Sequence, residues 1–229
     1  MRKFVPMLLA IFLLSTTLAA TSYAGIEPGV ITSKLNADLD ADGQTDVLVI
    51  RRSKPPAICE RVEIFRNQEE KRPAFTSEWK ELVEGLQMSA KGEVKLEKVG
   101  NRVVAKYIWR ERGQGTGEGH ESEHITYYGH VDGRFAPVFE YTAKNIDWSK
   151  GRFGNLPYLK EQVSTLRFED VDGDGEEEIC ISIRERAEEP KKIGEEFSPL
   201  RTNTVQRLLR YKWEESKGFV LTEEKKIGE

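Results

Sequence analysis

Hydrophobic and polar positions alternate along most of the chain. Val103, Ala105, Tyr107 and Trp109 occupy every second position, and so do Leu209, Tyr211 and Trp213. A period of two places such side chains on one face of a pleated strand, and predicts a sheet with one face buried. Runs of this kind, bounded by turn residues, predict strands at Val47–Arg51, Val62–Phe65, Arg102–Trp109, Ile125–Val131, Phe135–Tyr141, Ile179–Ile183, Leu208–Trp213 and Phe219–Leu221. One stretch dissents: Trp79, Leu82, Val83 and Leu86 follow helical spacing after Thr76-Ser77, which predicts a short helix.

The strand pattern repeats. DLDADGQTDVLVI, beginning at Asp38, returns as DVDGDGEEEICISI, beginning at Asp170, with acid, glycine and apolar strand in register. Midway between them KLEKVGNRVVAKYIW keeps the strand, turn, strand outline, with the acidic loop reduced to Gly100-Asn101. Three modules follow, at about 27–90, 91–160 and 161–229, each reading strand, turn, strand, long loop, strand, tight turn, strand. The Asp132-Gly133 turn closes the second hairpin of the middle module. The expected fold is all-β, built of repeated four-stranded antiparallel meanders that stack as propeller-like blades or, alternatively, as a β-sandwich. The long loops, Arg52–Ile58, Arg110–Glu123 and Glu185–Asn203, are expected on one side of the modules, where recognition usually resides. A further loop at 145–162 carries Trp148, Phe153 and Tyr158, which are expected to plug the core.

The repeated loop carries the clearest chemistry. Carboxylates at positions 1, 3 and 5, glycine at 6 and an acid at 9 make a tight bend whose hard oxygens converge, as calcium requires. In the first copy these are Asp38, Asp40, Asp42 and Asp46, with the backbone carbonyl of Gln44; in the second they are Asp170, Asp172, Asp174 and Glu178, with the carbonyl of Glu176. A helix-loop-helix calcium hand needs glutamate at position 12, where this chain has Val49 and Ile181, so the loops belong to strands. DxDxDGxxD followed by an apolar strand resembles the calcium loop of FG-GAP or VCBS-type repeats, found in secreted propeller and propeller-like proteins. The resemblance covers the two loops and the strands after them, without the phenylalanine-glycine signature. It implies two structural calcium ions, each pinning a strand-to-strand turn.

All three histidines fall in GHESEHITYYGH. His120, His124 and His130 have the spacing of a metzincin zinc site, with Glu121 as the base, so a zinc-dependent metallohydrolase is the alternative function. Context opposes it: GQGTGEG upstream breaks the required helix, ITYYGHV downstream reads as a strand, and Tyr127 stands where the motif needs glycine. The two cysteines, Cys59 and Cys180, are compatible with a disulfide or with two buried thiols. No glycine-rich phosphate loop and no nucleophile elbow occurs.

The N-terminus sets the compartment. Arg2 and Lys3 precede an apolar stretch from Phe4 to Leu14 and a small-residue site ending at Ala24, which predicts a secretory signal peptide over 1–24 and a single β-repeat domain over 25–229. The expected location is periplasmic or secreted, with no membrane span after processing. A formal net charge of −4 argues against nucleic acid and anionic membranes and suits a basic partner. The function expected is non-catalytic: a calcium-binding module for a protein or glycan partner, with a basic cell-wall enzyme as one such target.

Overall fold

The computed structural model describes residues 28–54, 59–67, 71–82, 88–150, 157–193 and 196–227. The expected signal peptide lies outside them. The described residues contain thirteen strands and no helix. The first five are β1 (Pro28–Ala37), β2 (Asp46–Ser53), β3 (Cys59–Phe65), β4 (Phe75–Thr76) and β5 (Lys80–Glu81). They form one antiparallel sheet in the order β1-β2-β3-β4, with β5 also on β3. The next eight are β6 (Met88–Val99), β7 (Arg102–Gln114), β8 (Glu118–Val131), β9 (Arg134–Lys150), β10 (Pro157–Glu169), β11 (Glu178–Ile193), β12 (Glu196–Glu214) and β13 (Gly218–Ile227). These make a second antiparallel sheet in strict sequence order, continuous from β9 into β10.

Every strand expected from alternation is present, and most run longer than the apolar pattern alone indicates. The buried side chains then fix three layers. Leu48 and Ile50 of β2 and Val62 and Ile64 of β3 share one core with Ala105, Tyr107 and Trp109 of β7. Val104 and Ile108, on the opposite face of β7, share a second core with Ile179, Ile181 and Ile183 of β11 and with Trp213. The expectation of one buried face is therefore corrected for β7, which is sandwiched on both. The eight-stranded sheet folds back so that β11–β13 cover the face of β7–β9 that the first sheet leaves open. Among the described residues the strands close no barrel or propeller.

Other expectations change as well. No helix forms over the described part of 79–86: Lys80–Glu81 pairs with Glu60 and Cys59 as β5, and Leu82 joins the first core. Spacing alone suggested the helix, but the free edge of β3 offers the backbone hydrogen bonds an alternative partner. Residues 83–87 lie outside the described set. The expected loops at 110–123 and 185–203 are instead long paired arms: β7 and β8 stay in register to Gln114 and Gly119, and β11 and β12 pair out to Ile193 and Glu196. Residues 145–150 likewise pair with 157–162. Glycine is needed at one step of these arms, because a Cβ at Gly119 would lie 2.5 Å from the Trp148 ring. Trp148 and Tyr158 belong to neither core and are half-buried on the arms, contrary to the plug expected of them. Phe153 lies outside the described residues.

An up-and-down meander sends alternate turns to opposite ends. Both acidic loops and the Gly100-Asn101 turn fall at one end: the Gly100 amide donates to Glu177 Oε2 of the second loop (2.7 Å), and Asp38 and Asp40 of the first line a cleft with Asn101 and Arg102. The arms extend from the other.

Candidate metal centre

The first acidic loop connects β1 to β2. Its bend is held by its own carboxylates: Asp38 accepts from the amides of Asp42 (3.1 Å) and Gly43 (3.0 Å), and Asp42 accepts from the amide of Gln44 (2.7 Å). Two residues take left-handed backbone, Ala41 at φ 59° and Gly43 at φ 84°. The result brings oxygen atoms of Asp38, Asp40 and Asp42 within 4.8 Å of one another. Asp46 opens β2 beneath them and is fully buried, accepting from the amides of Leu39 (2.9 Å) and Asn67 (3.2 Å). It stands outside the cluster of three. Burial pushes the Asp46 carboxyl above its ordinary value; the two amides pull it down, and Asp40 and Asp42 push it up again.

The second loop connects β10 to β11 and repeats this wiring except at one bond, which Gly173 donates in place of the equivalent of Asp42. Asp170 accepts from the amides of Gly173 (2.8 Å) and Gly175 (3.1 Å), Asp174 from that of Glu176 (2.9 Å), and the buried Glu178 from that of Val171 (2.7 Å). Gly173 and Gly175 take the left-handed steps, at φ 77° and 88°, in register with Ala41 and Gly43. Here oxygens of Asp170, Asp172 and Glu178 converge within 4.8 Å, with Asp174 outside the group. Asp174 is turned instead toward Lys212, whose ammonium lies 2.6 Å away and holds that carboxyl below its ordinary range.

Both clusters fit a hard cation. Each offers three converging carboxylates and no sulfur or imidazole. Asp38, Asp40 and Asp42 would hold an ion in the first loop, and Asp170, Asp172 and Glu178 in the second. Gln44 and Glu176, expected to lend carbonyls, sit at position 7 of each bend, fixed through their amides. Beside the first loop, Asp38 and Asp40 border a cleft of ≈420 Å³ that reaches Arg102, His130 and Trp213. The Arg102 guanidinium lies 4.6 Å over the Trp213 ring and 2.7 Å from Glu215.

The histidines do not assemble. His120, His124 and His130 all lie on β8, a strand, where four and six residues span about 13 and 20 Å at ~3.3 Å per residue. Zinc ligands approach to roughly 2 Å, so one ion cannot be shared among them. Each has a separate partner: His120 Nδ1 donates to Asp147 (2.7 Å), His124 Nδ1 meets Thr142 Oγ1 (3.1 Å), and His130 Nε2 accepts from Arg66 (3.2 Å). The helix that HExxH requires is absent, so the alternative zinc site is corrected to a polar strand face. Cys59 and Cys180 are buried free thiols in different sheets, which corrects the disulfide allowed by their number. Burial pushes both thiols up.

Sequence reasoning missed the basic residues at the loops. Arg66 Nε lies 3.2 Å from Asp40, and Lys212 Nζ lies 2.7 Å from Asp172. Arg66 follows the end of β3 and Lys212 lies within β12, each on the strand that pairs with the loop's own strand. No family model, curated protein or solved structure matches the chain.

Proposed function

We propose that this is a secreted, calcium-stabilised β-repeat protein similar to FG-GAP and VCBS-type repeats, acting as a non-catalytic binding module for a protein or glycan partner outside the cytoplasm. One observation carries the calcium reading: two loops far apart in sequence share carboxylate spacing, amide hydrogen bonds and left-handed steps. Support for a propeller-like relation among the modules comes from the face-to-face packing of three antiparallel layers, β1–β5, β6–β9 and β10–β13, through two cores. Calcium is favoured over magnesium because it accepts six to eight oxygens in irregular geometry, whereas magnesium demands a near-ideal octahedron and keeps its water. For partner binding, the support is the arm end, where Gln114, Glu118, His120, Asp147 and Tyr158 surround an open cleft of ≈360 Å³. An acidic chain favours a basic partner there.

Thermal unfolding tests the calcium reading. Ligand at a hundredfold excess over Kd stabilises the folded state by about 2.7 kcal/mol. For a chain of this size that raises Tm by roughly 5–10 °C. Chelator should remove the increment, and Asp42→Ala should remove the first loop's share. An unchanged Tm on chelation would sink the proposal. Partner binding is tested by titrating basic cell-wall hydrolases and glycan fragments against wild type and Tyr158→Ala; equal affinity for both proteins would move the partner site elsewhere.

A further inference from the structure

Each acidic loop faces a basic side chain that comes from the same place in the repeat. Val47 pairs with Phe65, and its counterpart Ile179 pairs with Tyr211. The next residues are therefore equivalent, and they are Arg66 and Lys212. Resting on the calcium reading above, we infer that Lys212 is a built-in cation of the second loop, which calcium must displace, so that the first loop is the tighter calcium site.

The geometry separates the two side chains. Lys212 Nζ lies 2.7 Å from Asp172, 2.6 Å from Asp174 and 3.9 Å from the buried Glu178. Two of those three, Asp172 and Glu178, are members of the converging oxygen cluster. An ammonium is a compact point charge with three donors, and here it stands where a metal ion would draw its ligands. Arg66 behaves otherwise. Its Nε lies 3.2 Å from Asp40, and its terminal nitrogen donates to His130 (3.2 Å) and to the Gly133 carbonyl (3.3 Å). The guanidinium also lies 5.6 Å from the Phe135 ring centroid. Drawn outward by these contacts, the planar fork stays at the rim and touches one carboxylate of the three. The buried carboxylate differs in the same sense: Glu178 has the Lys212 ammonium nearby, whereas the polar contacts of Asp46 are backbone amides.

Calcium entering the second loop must break two close ion pairs before it can bind, whereas the first loop can accept it while Arg66 keeps its rim contacts. Calorimetric titration of calcium into metal-stripped protein tests this. Wild type should show one tight site, lost in Asp42→Ala, and a second site weaker by about tenfold or more. Lys212→Met keeps the aliphatic stem and removes the charge; it should tighten the second site by about tenfold and leave the first unchanged. Lys212→Gln serves if the methionine variant folds poorly, and Tm in saturating calcium reports folding for both. Equal sites in wild type, or a second site unmoved in both variants, would overturn the inference while leaving calcium binding intact. No calcium binding in wild type or either variant would overturn the inference and the calcium reading together.

Discussion

Ala41 and Gly173 occupy the same step of the two acidic bends, at φ 59° and 77°. Left-handed backbone costs an L side chain roughly 1–2 kcal/mol, because Cβ crowds the following carbonyl. The first loop bears that cost at Ala41, and the second avoids it with glycine. Ala41→Gly should therefore stabilise the protein by about 0.5–1 kcal/mol, the strain relieved less the extra freedom of glycine in the unfolded chain. Urea unfolding checks it, and a midpoint equal to wild type would mean the strain is absorbed elsewhere. At this scale the acids were legible in the sequence, because a calcium-type bend uses a fixed spacing. Arg66 and Lys212 were not, since their place beside the loops depends on strand register, and alternation does not report which strand lies next to which.

Strands β9 and β13, both expected from the pattern, show where packing departs from strict alternation. The β8–β9 ladder shifts register between Tyr127 and Tyr128, which leaves Val138 as an extra residue between Phe139 and Pro137. Val138 and Phe139 both enter the second core as a result, although strict alternation would send them to opposite faces. Gly218, which opens β13, lies against this bulge at φ 81°, and a Cβ there would come within 2.7 Å of the Val138 carbonyl oxygen. Gly218→Ala should cost about 2–4 kcal/mol, from backbone strain and overpacking together. The loss would appear as a lower denaturant midpoint; a variant as stable as wild type would show that β13 can lift away from β9 cheaply. The paired arms were illegible for a related reason. Their glycines, prolines and charges read as loop, yet neighbouring strands satisfy each other's backbone whatever the side chains. The charged run Glu223, Glu224, Lys225 and Lys226 on the edge strand β13 discourages pairing with another chain.

For the molecule as a whole, β7 is the shared wall. Its odd residues Ala105, Tyr107 and Trp109 belong to the first core, and its even residues Val104 and Ile108 to the second. Removing either neighbouring layer bares one face of the same strand, so the three layers should unfold together. Leu48→Ala and Ile181→Ala, one in each core, should each cost about 2–5 kcal/mol and lower a single common transition. Two separated transitions, seen by circular dichroism and tryptophan fluorescence, would show that the first sheet melts alone. Alternation revealed eight of the thirteen described strands and the all-β class. It could not reveal the layering, which is set by how far the second sheet folds back on itself.

The strict sequence order of β6 to β13 has a consequence in time. From β7 onward each of these strands hydrogen-bonds to the one made just before it, so ladder closure spans only short stretches of chain. A polypeptide released from its N-terminal end can lay down this sheet in the order it emerges, with no segment waiting for a distant mate. The bend at Asp38 can close while most of the chain is still arriving, and the last strand to seat is the one that Gly218 fits against Val138.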